Sequence, residues 1–312
     1  MPSDSRSKGS VATRSLEIST GEPPSHDCAE MDSERLRRRA LIVSEQCQSS
    51  GALVPLQTTL SPLTGEAGTL FELRHLDGAT PKHLRSAGTK PNPFRPWDSR
   101  LEVEMIGPKH VLILNKYPVQ IGHMLLITSC WEPQSGWLTS DDWKALTSVD
   151  KDTTGLWFFN SAPMAGASQP HRHLQLLPRM VDEAICPREK WFRNRTEKTS
   201  NSVDDPLHRW ARVTAMNGLS DHQILTQTYQ SLCLQLGLGS PQCDHAPLDA
   251  YNILLCRDWM AVIRRKIEGV AGFSVNALGF AGCLLSTDGS DVTWLKNNGP
   301  EALLREVLPE GK

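Results

Sequence analysis

The chain has 312 residues, 39% of them hydrophobic, and a formal net charge of -2; it can bury a substantial core, as one large domain or two modest ones, but has no global basic field to hold a nucleic-acid backbone. No run approaches the roughly 18 apolar residues that a membrane span needs, and the N-terminus lacks the apolar core of a secretory signal. None of the eight cysteines forms a C-x-x-C pair, and Cys130, Cys256 and Cys283 sit in or beside apolar runs as small core hydrophobes do, so a reducing compartment, the cytoplasm, is expected.

Residues 1–30 are rich in Ser, Gly, Pro and charge, with too little apolar content to offset the entropy of ordering, and read as a tail. An amphipathic helix is predicted from Ser33 through Leu36, Ala40, Leu41 and Val43 to a stop near Gly51. Its Arg35, Arg37, Arg38 and Arg39 read as a solvated face rather than an import signal or anion site. Leu53 to Leu60 and Thr69 to Leu76 read as strands, separated by turn chemistry at Ser61-Pro62-Leu63-Thr64-Gly65. The Pro- and Gly-punctuated stretch from Asp77 to Arg100, which includes Lys82, is a long connection of the kind that often carries function. Three more strands are expected at Leu101 to Ile106, His110 to Leu114 and His123 to Thr128, and His123 is expected to pack rather than react. A helix over Thr139 to Val149 has Thr139 as N-cap and Asp142 in the capping-box position.

Gly155 to Phe159 then reads as a buried strand ending at Asn160. His171 to Leu177 reads as another, whose period of two sets His171, His173 and Gln175 on one face and Leu174 and Leu176 on the other. Between them lie Gly166, Ala167, Ser168 and Gln169. The small residues let backbone N–H groups approach an anion, and the Ser168 hydroxyl adds a donor. Three readings of the histidines stay open. A metal chelate would have Gln175 as a poor third ligand. A hydrogen-bonded core pair is costly to bury without a ligand. A neutral imidazole in line with the phosphorus of a bound phosphate is the reading that the adjoining cradle favours.

From Pro178 to about Leu219 the chain reads as a long excursion without clear period. Ser220 to Leu236 reads as a helix, with a Ser220/Gln223 capping box, Ile224, Tyr229, Leu232 and Cys233 facing inward, and Gly237 as the stop. Ala250 to Cys256 and Met260 to Ile263 alternate as a hairpin does. Cys243 and His245 lack the second pair that a zinc site needs. Phe273 to Leu285 is apolar and rich in small residues, which fits tight packing or close approach to a ligand. Gly299-Pro300-Glu301 opens a closing helix.

The segment G-A-S-Q-P-H-R-H-L-Q, Gly166 to Gln175, resembles the histidine-triad superfamily and, within it, the ATP adenylyltransferases or diadenosine tetraphosphate phosphorylases. These carry Gln where the superfamily's hydrolases carry a third His. Asn115-Lys116-Tyr117-Pro118 resembles that family's L-N-K-[FY]-P turn, Asn92-Pro93-Phe94-Arg95-Pro96 its Pro-rich linker, and Asn276 to Gly282 its C-terminal N-[AS]-x-G-[FY]-x-G block. The resemblance runs from about Gly51 to Val307. It implies an α+β fold, a histidine-triad-like, largely antiparallel sheet with helices on one side and a C-terminal segment completing the site. The expected division is a tail over 1–30, an adenylyltransferase domain over 31–180 and a C-terminal region over 181–312.

The resemblance also implies phosphorolysis of diadenosine tetraphosphate by inorganic phosphate to ATP and ADP, and the reverse adenylyl transfer, through an AMP adduct on His173. His171 positions its neighbour. Substrate contacts are implied at Lys82, Asn115, Lys116, Asn160, Gly166, Ala167, Ser168, Gln169, Gln175, Asn276, Ala277 and Leu278, and at Cys283 and Thr287, where relatives carry Met and Lys. The expected partners are dinucleoside polyphosphates or adenine nucleotides and phosphate, with no nucleic-acid polymer and no membrane. Mg2+ or another divalent cation would accompany the nucleotide, and no tightly bound cofactor is expected. A dinucleoside polyphosphate hydrolase, a hexose-1-phosphate uridylyltransferase, which shares H-x-H-x-Q, and a non-catalytic nucleotide sensor remain as alternatives.

Overall fold

The structure, a computed structural model, describes residues 34–77, 92–180, 182–196 and 206–310, so the expected N-terminal tail and Lys82 lie outside the described residues. Helix α1 (Arg35–Ser49) buries Leu36, Ala40 and Cys47. Its Arg35 and Arg39 pair with Glu104, and Arg35 also with Asp152, as a solvated, ion-paired face would. Strand β1 (Thr58–Thr64) begins later than expected and runs through Ser61-Pro62-Leu63-Thr64, which reads locally as a turn. The reversal falls after it, where Ala67 (φ 51) and Gly68 (φ 76) adopt left-handed conformations, and β2 (Leu70–Leu76) returns antiparallel. Because β1 is an edge strand, Pro62 is tolerated inside it.

Strands β3 (Glu102–Ile106), β4 (His110–Leu114) and β5 (Met124–Thr128) follow. Helix α2 (Ser140–Asp150) has the expected capping box between Thr139 and Asp142. Next come β6 (Gly155–Asn160) and β7 (His173–Pro178). The stretch that reads as an excursion contains α3 (Glu189–Thr196), α4 (Pro206–Trp210) and β8 (Ala211–Ala215). Helix α5 (His222–Gln235) is capped by Asp221 rather than Ser220, and its inward face is Leu225, Tyr229, Leu232 and Cys233 while Ile224 is exposed. The Asp221 carboxylate accepts from the Gln223 and Ile224 N–H groups, and its charge suits the positive end of the helix dipole better than a hydroxyl would. The chain closes with β9 (Tyr251–Leu255), β10 (Trp259–Arg264), β11 (Gly269–Val270), β12 (Phe273–Ser274), α6 (Ala277–Ala281), β13 (Cys283–Ser286), α7 (Val292–Asn298) and α8 (Pro300–Glu306). Among the described residues no helix is long and apolar enough to cross a membrane.

One antiparallel sheet runs β3-β4-β5-β7-β6-β9-β10-β8. Residues 31–180 and 181–312 therefore share a sheet, joined where β6 pairs with β9. A second sheet adds β13 parallel to β2, with Cys283 opposite Glu72. Strand alternation sorts the core onto two faces. On one, Leu112, Leu126, Leu174 and Leu176 pack with Leu36, Trp143 and Tyr229 of α1, α2 and α5. On the other, Leu156, Phe158, Leu177 and Leu254 pack with Phe71 of the second sheet and with Phe280 and Leu304 of the C-terminal helices. A smaller cluster of Phe94, Val111, Ile113, Leu125 and Ile127 covers the rest of that second face. The α+β class holds, with a large antiparallel sheet and flanking helices. His173 and Gln175 pair with Ile127 and Leu125 of β5, and Gln175 also with Phe158 of β6, so both sit at the seam between the two clusters of the second face.

Candidate active site

Strand β7 starts at His173 because the segment before α2 intrudes there. His171 makes an isolated bridge to Pro133, and the Gln134 N–H donates to Pro170 O at 2.8 Å. The buried Gln134 side chain then stands in for a strand. Its Oε1 accepts the His173 N–H (2.8 Å), and its Nε2 donates to Asn160 O (2.7 Å) and His173 O (3.2 Å). On the opposite face, Arg172 donates to Asp142 Oδ2 (3.1 Å) and Pro133 O (3.1 Å), while His110 Nε2 lies 2.9 Å from Asp142 Oδ1. Burial pushes the Asp142 pKa up, but the His110 hydrogen bond and the Arg172 charge outweigh it and hold the carboxyl below its ordinary value. The capping-box residue of α2 thus clamps the strand between the two histidines from behind.

The two imidazoles are in opposite tautomers. His171 Nε2 is 2.8 Å from Thr128 O, which can only accept, so this nitrogen carries the proton and Nδ1 accepts from Asn92 Nδ2 at 2.9 Å. His173 Nδ1 is 2.7 Å from His171 O and carries the proton for the same reason. Its Nε2 keeps a lone pair with no partner among the described residues. The Phe94 ring packs on both, with centroids 5.7 Å from His171 and 5.4 Å from His173. Burial lowers the His173 pKa to about 4, and burial is also the foremost cause that lowers His171. His173 is therefore neutral at physiological pH, a nucleophile that needs no base to free its nitrogen. A chelate would need a free nitrogen on each ring, and His171 offers none. The core-histidine reading fits His171 but not His173.

Gln175 is held from the side. Its Oε1 lies 3.1 Å from His123 Nε2, His123 Nδ1 lies 3.1 Å from Asn115 Nδ2, and Asn115 Oδ1 accepts the Tyr117 N–H at 3.1 Å. Asn115 thus shapes its own turn and supports His123, while the neighbouring Lys116 is exposed with Nζ 5.7 Å from the Tyr117 ring centroid.

The expected anion cradle is narrower than the sequence suggests. The Gly166 N–H donates to Pro163 O (2.8 Å) and the Ala167 N–H to Ala162 O (3.0 Å), so both close the turn after β6 instead of facing an anion. Among the described residues Ser168 and Gln169 have no partner for their backbone N–H or side-chain donors, and the cradle falls to them. Gly166 has φ 82, and a Cβ there would lie 2.7 Å from Asn276 Cβ and 3.0 Å from Val275 O. The glycine lets the loop seat against the C-terminal segment.

A buried polar relay fixes that seat. Asn160 Oδ1 accepts from Asn252 Nδ2 (2.8 Å) and from the Ala277 N–H (2.9 Å). Asn252 also donates to Ala165 O (2.8 Å) and accepts from Arg265 Nη1 (2.6 Å). Burial drops the Arg265 pKa to about 9. Asn160 and Ala277, expected as substrate contacts, therefore bond to each other through these atoms. Asn276 caps α6 by accepting the Leu278 N–H at 2.9 Å. Cys283 lies on β13, and Thr287 holds the turn after it, its N–H donating to Ser290 Oγ (3.0 Å) and its Oγ1 accepting from the Gly289 N–H (3.3 Å). Gln134, Thr128, Asn252 and Arg265 escape sequence reasoning, and Asn92 is legible only as part of the Pro-rich linker and not as a partner of His171, since a lone polar residue carries no local sign of the partner it will meet.

Residues 26–190 match the family described as Ap4A phosphorylase N-terminal domain, and residues 206–309 that described as ATP adenylyltransferase C-terminal domain. The chain is similar to "Protein APA1" of Saccharomyces cerevisiae, 28% identical over 221 residues that cover 64% of this chain and 67% of the relative. It is also similar to that organism's diadenosine 5',5'''-P1,P4-tetraphosphate phosphorylase 2, 29% identical over 206 residues that cover 58% and 63%. The match thus spans about two thirds of the length of either relative. Among solved structures, that of yeast Ap4A phosphorylase Apa2 superposes with a TM-score of 0.68 at 22% identity, covering 89% of this chain and 94% of that one. Apa2 in complex with Ap4A superposes with a TM-score of 0.66 at 22% identity, covering 89% and 97%. These likenesses establish a shared fold.

Proposed function

The chain belongs to the Ap4A phosphorylase family, and we propose that it is a nucleotidyltransferase that cleaves diadenosine tetraphosphate with inorganic phosphate to ATP and ADP and runs adenylyl transfer in reverse. The observation that carries this reading is the bare Nε2 of neutral His173, aimed by the bond from its Nδ1 to His171 O. Nε2 attacks the α-phosphorus, the P–O bond to the leaving group breaks, and ATP departs. AMP then sits on Nε2, and the proton still shared between Nδ1 and the His171 carbonyl stabilises the positive charge that develops on the ring. A phosphate oxygen next attacks the same phosphorus, the P–N bond breaks, ADP leaves and His173 returns neutral.

The Gln175 amide and the donors of Ser168 and Gln169 hold the non-bridging oxygens as charge redistributes. Water must lose a proton as it attacks, whereas phosphate arrives as an anion, so an amide at 175 favours phosphate as acceptor. Lys82 and Lys116 supply cationic contacts to the polyphosphate, and Mg2+ or another divalent cation accompanies it as part of the substrate. All seven cysteines among the described residues are free thiols, which suits a reducing compartment, the cytoplasm.

The test is intact mass of the protein after incubation with diadenosine tetraphosphate in the absence of phosphate. An acid-labile adenylyl adduct is expected, absent from His173→Ala and discharged as ADP when phosphate is added. A clean spectrum, under conditions where phosphate restores turnover, would mean that phosphate attacks the dinucleotide directly.

A further inference from the structure

His123 has no part in the transfer chemistry, yet it is 8% exposed, its ring lies 5.7 Å from that of Phe158, and both its nitrogens are engaged beside Gln175. A glutamine amide can turn by 180° about its last bond and exchange oxygen for nitrogen at almost no steric cost. Its hydrogen-bond partner alone decides which atom faces the site. With nitrogen outward Gln175 donates to a phosphoryl oxygen; with oxygen outward it repels one.

The direction can be read from a group that has no choice. The Tyr117 backbone N–H only donates, and it donates to Asn115 Oδ1 at 3.1 Å. The Asn115 nitrogen must then be the atom 3.1 Å from His123 Nδ1, so Nδ1 accepts. A neutral imidazole that accepts at Nδ1 carries its proton at Nε2, which donates to Gln175 Oε1 at 3.1 Å. Each link leaves the next one a single sense. Burial, the largest influence on the His123 pKa, lowers it to about 4, which keeps Nδ1 free to accept at physiological pH.

We propose that His123 is a positioning residue that sets the polarity of the Gln175 amide, turning its NH2 group toward the transferring phosphoryl group, with Asn115 setting the tautomer of His123. The proposal rests on the adenylyl-transfer reading above. It assigns the Asn115-Lys116-Tyr117-Pro118 turn a second task, that of starting a chain of oriented hydrogen bonds that ends at the reacting phosphate.

The test is a double-mutant cycle with His123→Leu, Gln175→Leu and the pair, alongside His123→Gln and His123→Asn. Removing one donor from developing phosphoryl charge costs about a hundredfold or more in rate, whereas losing the single hydrogen bond that orients the donor costs about two- to tenfold. His123→Leu should therefore lower kcat for phosphorolysis by about two- to tenfold, far less than Gln175→Leu does, with KM changed less than kcat, since the contact acts mainly in the transition state. His123→Gln keeps an N–H near the position of Nε2 and should recover most of the rate. His123→Asn is too short to reach Gln175 and should resemble His123→Leu. The double variant should be no slower than Gln175→Leu alone, because no amide remains to be oriented. Additive losses in the double variant, or no rescue by Gln with the variants folded by thermal melting, would show a space-filling role and overturn the proposal.

Nitrogen-15 NMR of the His123 ring in the wild type decides independently of turnover. A protonated Nε2 with a bare Nδ1 is expected, and the opposite tautomer would overturn the proposal even in an active enzyme. A wild type with this tautomer but no adenylyl transfer would instead refute the functional reading.

Discussion

Acidification from pH 8 to pH 5 separates a buried, neutral nucleophile from an ordinary histidine. With its pKa at about 4, about nine tenths of His173 stays neutral at pH 5, whereas a histidine at the usual 6.5 would be only about 3% neutral, a roughly thirtyfold difference in reactive enzyme. The assay is rapid-quench measurement of His173 adenylylation by diadenosine tetraphosphate without inorganic phosphate, whose own ionisation would otherwise intrude. The expected rate is nearly flat from pH 8 to pH 5 and falls through about pH 4. Stability runs with the same sign. His123 and His173 both have folded pKa values of about 4, below their unfolded values, so the stability they contribute is complete above about pH 6.5 and is lost as pH falls toward 4. Between pH 7 and pH 5 each loses about 2 kcal/mol by linkage, so folding at pH 5 must be verified by near-ultraviolet circular dichroism. An adenylylation rate that fell about thirtyfold by pH 5, with an apparent pKa near 6.5 in a folded protein, would refute the buried-nucleophile reasoning.

Gln175→His should slow phosphorolysis and raise the AMP fraction of the products, since an imidazole can take a proton from attacking water where an amide cannot; product chromatography with and without phosphate reads this, and a wild type that makes AMP as fast as ADP at millimolar phosphate would favour a hydrolase. Gly166→Ala should destabilise the protein by about 2–4 kcal/mol, combining a left-handed alanine with a Cβ driven against the Asn276 backbone and Val275 O. Urea unfolding checks it, and an unchanged midpoint would mean that the loop does not seat on the C-terminal segment.

The sequence by itself determined what is local. Short apolar runs and alternation placed β3 to β7 and the hairpin of β9 and β10 to within a few residues, and the Thr139 capping box was legible because its donors and acceptors lie within one helical turn. The period of two made legible that His171, His173 and Gln175 share one face of one strand, while the preference for His173 over His171 came from the family resemblance and not from the alternation. Where the answer depends on what lies opposite, the local signal misled. Ser61 to Thr64 has turn composition but lies in an edge strand, and Gly166 and Ala167 are small enough to cradle an anion but donate back into their own turn. Tertiary structure alone decided that Ala277 meets Asn160, 117 residues away, that β13 joins β2, and that Gln134 takes the place of a strand beside His173. It also decided which nitrogen of His123, His171 and His173 carries the proton, because a proton's position follows from the acceptor it faces, and that acceptor is supplied by folding.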